Sequence, residues 1–101
     1  MREKYYTKKP IPVAALYWDG TDNDMMVDSI DYFIQTVPRN DDDYAQMFTV
    51  TNENDVNLLV LDTLEGPMSS YKPCYIIRGV RGEFYICEES IFNETYEEVN
   101  G

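Results

Sequence analysis

The sequence predicts an α+β fold, in which a single small domain contains an antiparallel β-sheet of four to six strands with one amphipathic helix packed on one face. Two observations support this class. One segment with helical spacing of apolar residues follows the first β-leaning segment, and several more β-leaning segments, separated by turn residues, come after it. At 101 residues the chain can bury roughly two thirds of its unfolded surface. We therefore expect residues 1–101 to form one domain.

The first predicted strand covers residues 11–18, which are apolar and β-leaning and end at the turn pair Asp19-Gly20. Pro12 is expected at the edge or the start of this strand, because proline cannot donate to a ladder. Before it, residues 1–9 are expected to form a basic, extended lead-in.

The helix is predicted over about residues 24–36 and should end before Pro38. A side chain of Thr21, Asp22 or Asn23 can cap its N-terminus. The apolar stripe that defines the helix consists of Met26, Ile30, Phe33, Ile34 and Val37.

Residues 45–51 and 56–61 are predicted to be two strands of a hairpin, because residues 52–55 between them are turn-forming. Glu65-Gly66-Pro67 interrupts the strand pattern after it.

A second hairpin is predicted around residues 79–82, where either Gly79 or Gly82 can take a positive φ. If Val80 and Arg81 are central, facing residue numbers sum to 161, which pairs Cys74 with Cys87; a bulge at Gly82 would shift the register by one. In the closing segment, four apolar residues are expected to pack back onto the sheet: Ile91, Phe92, Tyr96 and Val99.

The charge is strongly acidic, with 19 acidic and eight basic residues and a net charge of −11. Four of the eight basic residues lie in the first nine positions with a single acid, so the net charge of residues 10–101 is near −14. A domain with this charge repels nucleic acid and anionic membranes and favours a basic protein partner. The alternative interpretation is that the acidic residues only keep the protein soluble.

The N-terminus shows no signal-peptide pattern and no long apolar segment, so we expect a soluble protein inside the bacterial host cytoplasm. Reduced thiols are expected there for Cys74 and Cys87.

The sequence contains no His, which removes the usual general base and the commonest metal ligand. We therefore expect that the protein is not an enzyme and has no catalytic residues, and that it binds neither a cofactor nor a structural metal. Asp41, Asp42 and Asp43 contain oxygen ligands for a hard cation, but they lack the spacing of a calcium loop.

Two sets of residues are candidates for binding. Spaced carboxylates can imitate a phosphate backbone. The candidate partner-binding acids are Asp41, Asp42, Asp43, Glu88, Glu89, Glu94, Glu97 and Glu98, and a further acidic group lies at Asp19, Asp22, Asp24, Asp28 and Asp31. The alternative is a pocket for a nucleotide-like small ligand, formed by Lys72, Arg78, Arg81 and Tyr85.

The C-terminal third resembles the signature of a widespread family of small phage and prophage proteins. The matching residues are Tyr75-Ile76-Ile77-Arg78-Gly79-Val80-Arg81-Gly82-Glu83-Phe84-Tyr85, then Cys87, Ile91-Phe92 and Thr95-Tyr96-Glu97. Lys8-Lys9-Pro10 and Trp18-Asp19-Gly20-Thr21 are similar to the family's opening. The chain departs at Pro73-Cys74-Tyr75, where the family has Gly-Asp-Tyr, and at Glu88-Glu89-Ser90, where the family has Lys-Pro-Asp.

This resemblance implies a mobile-element origin. With the acidic charge, it makes the chain similar to small anti-CRISPR proteins of the type II-A class. The function then expected is inhibition of host defence, by binding the type II CRISPR nuclease and blocking guide RNA or DNA binding. The partner expected is a basic nucleic-acid-handling host protein, without direct binding to nucleic acid or membrane. The sequence does not indicate an oligomeric state.

Overall fold

The computed structural model describes residues 2–7, 9–35, 48–63 and 65–99. In chain order, these residues form β1 (Ala14–Trp18), α1 (Asp24–Gln35), β2 (Phe48–Glu53), β3 (Val56–Thr63), β4 (Gly66–Ser70), β5 (Cys74–Arg78), β6 (Phe84–Glu88) and α2 (Glu89–Thr95). The strands form two antiparallel sheets of three. Sheet A has the order β1-β5-β6 and sheet B the order β2-β3-β4. The predicted α+β class is confirmed.

β5 is the central strand of sheet A, because β1 pairs with one of its sides. This antiparallel pairing places Ala15 opposite Ile77 and Trp18 opposite Cys74. Since β6 occupies the other side of β5, β4 has no free side of β5 to pair with. The expectation of one sheet and one helix was therefore too simple, and the closing segment contains a second helix, α2.

β1 is shorter than predicted and begins at Ala14 rather than at residue 11. Pro10 and Pro12 have no N–H to donate to a neighbouring strand, which explains why residues 9–13 run up to the sheet without joining it. Residues 2–7 and 9 are exposed and lie in neither a helix nor a strand.

α1 begins after Asn23, one of the three predicted caps. The Asn23 Oδ1 atom accepts a hydrogen bond from the Met26 N–H at 2.8 Å, and the Asn23 carbonyl accepts one from the Val27 N–H at 3.0 Å. The predicted boundary at Pro38 lies outside the described residues.

The hairpin of β2 and β3 turns on Asn54 and Asp55, whose φ angles are +54° and +64°. Two such residues form the type I′ turn that matches the twist of a hairpin. The predicted residues 45–47 lie outside the described chain. β4 includes Pro67, which an edge strand tolerates because one of its sides needs no donors.

The β5–β6 hairpin has the register that is shifted by one residue. Cys87 faces Tyr75, and Cys74 faces Glu88, so of the two registers that the sequence left open the one with a bulge at Gly82 is present. Gly82 has a φ of +81°, and this extra residue in the turn produces the shift. Since side chains alternate between the faces of a strand, Cys74 and Cys87 lie on opposite faces of sheet A, and both thiols are free.

One hydrophobic core lies between sheet A, sheet B and α1. All of its buried residues are at most 2% exposed: Trp18, Ile30, Ile34, Leu59, Leu61, Cys74, Ile76 and Phe84. Ile77 is also fully buried but points to the opposite face of sheet A, which we call the outer face. The central strand β5 is therefore covered on both sides, and the outer face of sheet A is where α2 packs.

Candidate functional site

α1 presents a row of carboxylates on the side away from the core. Asp24, Asp28 and Asp31 are exposed and follow one another at four- and three-residue spacing, which places them along one side of the helix. α1 contains no Lys or Arg to offset them. We call these three residues the aspartate row.

Two large apolar side chains lie beside the aspartate row. Met25 is 81% exposed and Tyr32 is 74% exposed, although a helix in a small domain normally turns such residues inward. With Leu16 and Phe33 they line a shallow hollow of about 670 Å³. This patch was not among the predicted sites. Its signal in the sequence is that Met25 and Tyr32 are large apolar residues of the helix outside the predicted core stripe.

The predicted C-terminal acids lie at and after the end of β6. Glu88, Glu94, Glu97 and Glu98 are exposed, and Glu89 is half-buried. The Glu89 side chain reaches the outer face of sheet A. There it accepts a hydrogen bond from the Tyr17 hydroxyl, which raises the pKa of Tyr17. The other predicted acids, Asp41, Asp42 and Asp43, lie outside the described residues.

An aromatic column runs across the outer face of sheet A into α2 and the segment after it. The Tyr17 and Tyr75 ring centroids are 5.1 Å apart, and Phe92 stacks on Tyr75 at 3.7 Å with the two planes within 12°. Tyr96 continues the stack at 4.8 Å from Phe92. The packing predicted for Phe92 and Tyr96 is thus present, whereas Ile91 and Val99 are exposed by 52% and 72%.

A groove of about 640 Å³ runs along this column, and we call it the aromatic groove. Residues 10–13 form one wall, and Phe92 with residues 95–99 forms the other. Ala15 and Tyr75 lie between the walls. Because residues 97 and 98 are glutamates, an apolar and aromatic surface is bordered by two carboxylates.

A neighbouring hollow of about 510 Å³ shares part of both walls and includes Tyr85 and Glu83. Burial raises the pKa of Tyr85 to about 12, and a hydrogen bond with Tyr96 adds to the effect. The hydrogen bond links Tyr85 to Tyr96, at the end of the aromatic column.

The four residues of the alternative ligand pocket are dispersed. Arg78 faces the core side of sheet A, where its guanidinium lies 5.3 Å from the centre of the Phe33 ring, whereas Tyr85 lies opposite Ile77 and faces outward. Lys72 precedes β5 and Arg81 lies in the turn after it, so the length of the strand, about 13 Å, separates them. The structure does not bring these residues together as a nucleotide site would require.

The cysteines show little nucleophilic character. Burial raises the pKa of the Cys74 thiol to about 11, and burial followed by the charge of Glu88 raises the pKa of Cys87. Both thiols are protonated near neutral pH, and the thiol is the less reactive form. Among the described residues, no three His, Cys, Asp or Glu side chains converge on a common point as a metal site requires.

Comparison of the chain with protein-family models, curated proteins and solved structures gives no match. Within the described ranges, no helix has both the length and the apolar character needed to cross a lipid bilayer. The aspartate row and the aromatic groove are the features of the described structure that bear on function.

Proposed function

We propose that this protein inhibits a basic, nucleic-acid-handling protein of a bacterial defence system by occupying the channel that holds its guide RNA or DNA. The observation that carries the proposal is the exposed aspartate row on α1. Its carboxylates advance about 5 Å per charge along the helix axis, against about 3.4 Å per charge along one DNA strand. A basic channel therefore attracts the aspartate row and a nucleic-acid strand by the same electrostatic interaction.

The surroundings of the aspartate row support a protein partner rather than a purely electrostatic contact. Met25 and Tyr32 stand beside the acids, and both residue types are enriched where protein interfaces exclude water. Tyrosine in particular often carries a large share of binding energy. The combination can attract a basic surface at long range and then hold it by packing.

The resemblance to small phage proteins directs the proposal to bacterial defence. The type II CRISPR nuclease is the first partner to test, because its guide heteroduplex lies in a strongly positive channel. A net charge of −11 repels free nucleic acid, which favours a protein as the ligand.

The test measures binding to a purified type II-A nuclease, with and without guide RNA, and inhibition of DNA cleavage. In one variant, Asp24→Asn, Asp28→Asn and Asp31→Asn are combined. The matched control combines Glu53→Gln, Asp55→Asn and Asp62→Asn, three exposed acids of the β2–β3 hairpin, and removes the same total charge. We expect the first variant to bind about tenfold or more weakly and the control to stay within about threefold of the wild type.

Failure of the wild-type protein to bind the nuclease or to inhibit cleavage would overturn the proposal. An equal loss in both variants would show that net charge, rather than the aspartate row, provides the attraction. A circular dichroism spectrum of each variant checks that α1 is intact.

A further inference from the structure

We propose that the aromatic groove binds an extended, arginine-bearing segment of the partner protein. The inference rests on the proposed function in one respect, since it identifies where a basic partner makes its second contact. It concerns a surface separate from the aspartate row, formed by sheet A, α2 and residues 10–13.

The lining of the groove matches a side chain that has an apolar stem and a cationic head. Ile11, Val13 and Phe92 provide apolar surface, and Glu97 and Glu98 provide charge on the same wall as Phe92. Arg and Lys bury their aliphatic stems along apolar surface while the charged head remains near water. A purely apolar segment would leave the two carboxylates without a function in binding.

The aromatic column favours arginine over lysine. Tyr75, Phe92 and Tyr96 stack in one column beside the groove, so both faces of Phe92 are covered and Tyr96, the ring at the end of the column, is the one that can receive a guanidinium. Arginine stacks on such a ring and is also attracted to it electrostatically. The planar fork of Arg also matches a carboxylate with two parallel hydrogen bonds. Tyr85, hydrogen-bonded to Tyr96, fixes the last ring of the column.

The lining of the groove is compatible with an extended segment. Its two walls come from separate stretches of chain, residues 10–13 and Phe92 with residues 95–99, so a segment without the width of a helix can touch both. A second copy of this chain also carries exposed basic residues before the groove, among them Arg2, Lys4 and Lys9. However, two bodies with a net charge of −11 repel each other, and this repulsion favours a basic partner of a different kind.

The test uses a defined probe, the peptide acetyl-Ala-Arg-Leu-Arg-Ala-amide, titrated into the labelled full-length protein and followed by the amide signals in NMR spectra. Two further peptides replace both Arg residues by Lys or by citrulline, which keeps the shape and removes the charge. We expect the Arg peptide to move the signals of residues 10–13 and 92–99 without moving those of α1. The Lys peptide should bind more weakly, and the citrulline peptide should leave the signals in place.

The protein variants identify the groups responsible. Glu97→Gln combined with Glu98→Gln should weaken binding of the Arg peptide about three- to tenfold, the sum expected for two exposed charge pairs. The matched control combines Glu53→Gln with Asp62→Asn, two exposed acids of the β2–β3 hairpin that do not line the groove, and should bind the peptide as the wild type does.

The outcomes separate this inference from the proposed function. No signal change in the groove with the Arg peptide, or an equal change with the citrulline peptide, overturns the inference even if the nuclease binds. Groove binding without nuclease binding overturns the proposed function and leaves the inference intact. A dimer detected by light scattering and lost on deletion of residues 2–7 would assign the groove to a second copy and overturn the inference.

Discussion

Gly82 holds the β5–β6 turn in a conformation that other residues avoid. Its φ is +81°, and its N–H donates a hydrogen bond to the Gly79 carbonyl at 3.0 Å. The Gly79 N–H closes the turn by donating to the Glu83 carbonyl at 2.7 Å. A side chain at position 82 would have to occupy the left-handed region, which costs roughly 1–2 kcal/mol for residues other than glycine.

We therefore expect Gly82→Ala to lower the free energy of unfolding by about 1–2 kcal/mol, measured by urea denaturation. Gly79→Ala is the matched control, because Gly79 is not among the glycines with positive φ. A Cβ there would meet the Cγ and the carboxylate of Glu83, whose carboxylate also accepts a hydrogen bond from the Arg81 N–H at 3.0 Å. Gly79→Ala therefore measures the cost of displacing that side chain, and a loss in Gly82→Ala no larger than this cost would contradict left-handed strain at position 82.

The same glycine explains what could be predicted at the level of single residues. The sequence placed the turn correctly, but both Gly79 and Gly82 satisfied the turn chemistry, so the register remained open by one residue. In a strand, a shift of one residue moves every side chain to the other face. That shift turns Cys87 outward beside Tyr75 and leaves Cys74 in the core, which removes the apparent pairing of the two cysteines.

Among the elements, α1 was the most predictable because its signals are local. The cap, the turn before the helix and most of the apolar stripe lie within residues 19–35, and α1 follows the prediction from Asp24 to Gln35, where the described residues of this segment end. By contrast, α2 has no side-chain cap hydrogen bond and no buried residue. Its position depends on the stacking of Phe92 with Tyr75, a contact between distant parts of the chain.

Asn23 provides the test at the level of the helix. Its side chain satisfies the N–H of Met26, which has no partner within α1, so Asn23→Ala should lower the free energy of unfolding by about 1 kcal/mol. Asn23→Asp retains an acceptor at the same position and should stay within about 0.5 kcal/mol of the wild type. Thermal and urea unfolding followed by circular dichroism measure both. Similar stability of the Ala and wild-type proteins would contradict the assignment of Asn23 as the cap.

At the scale of the whole molecule, the division into two sheets depends on a pairing that local patterns do not specify. β1 and β5 are separated by α1 and all of sheet B in the sequence, and nothing in either strand identifies the other as its neighbour. The candidate site was also only partly predictable from local patterns. Acidic charge is visible in the composition, whereas the aromatic column brings Tyr17, Tyr75, Phe92 and Tyr96 together only through that pairing and α2.

The acidic charge of the whole molecule should make salt act in opposite directions on folding and on partner binding. In the folded state, a net charge of −11 is confined to a small body, and the resulting repulsion opposes the compact form. Sodium chloride near 0.15 M shortens the screening length to about 8 Å, which weakens this repulsion and also weakens attraction to a basic partner.

We accordingly expect the melting temperature to rise by a few degrees between low salt and about 0.15 M sodium chloride, since about 1 kcal/mol corresponds to 4–8 °C for a domain of this size. Binding to the nuclease should weaken over the same range. The variant that combines Glu53→Gln, Asp55→Asn and Asp62→Asn carries three fewer negative charges and should show a smaller rise in melting temperature. Calorimetry and binding measurements in the same buffers compare the two effects. A melting temperature that falls with salt would contradict the repulsion argument, and nuclease binding that is insensitive to salt would contradict the electrostatic basis of the proposed inhibition.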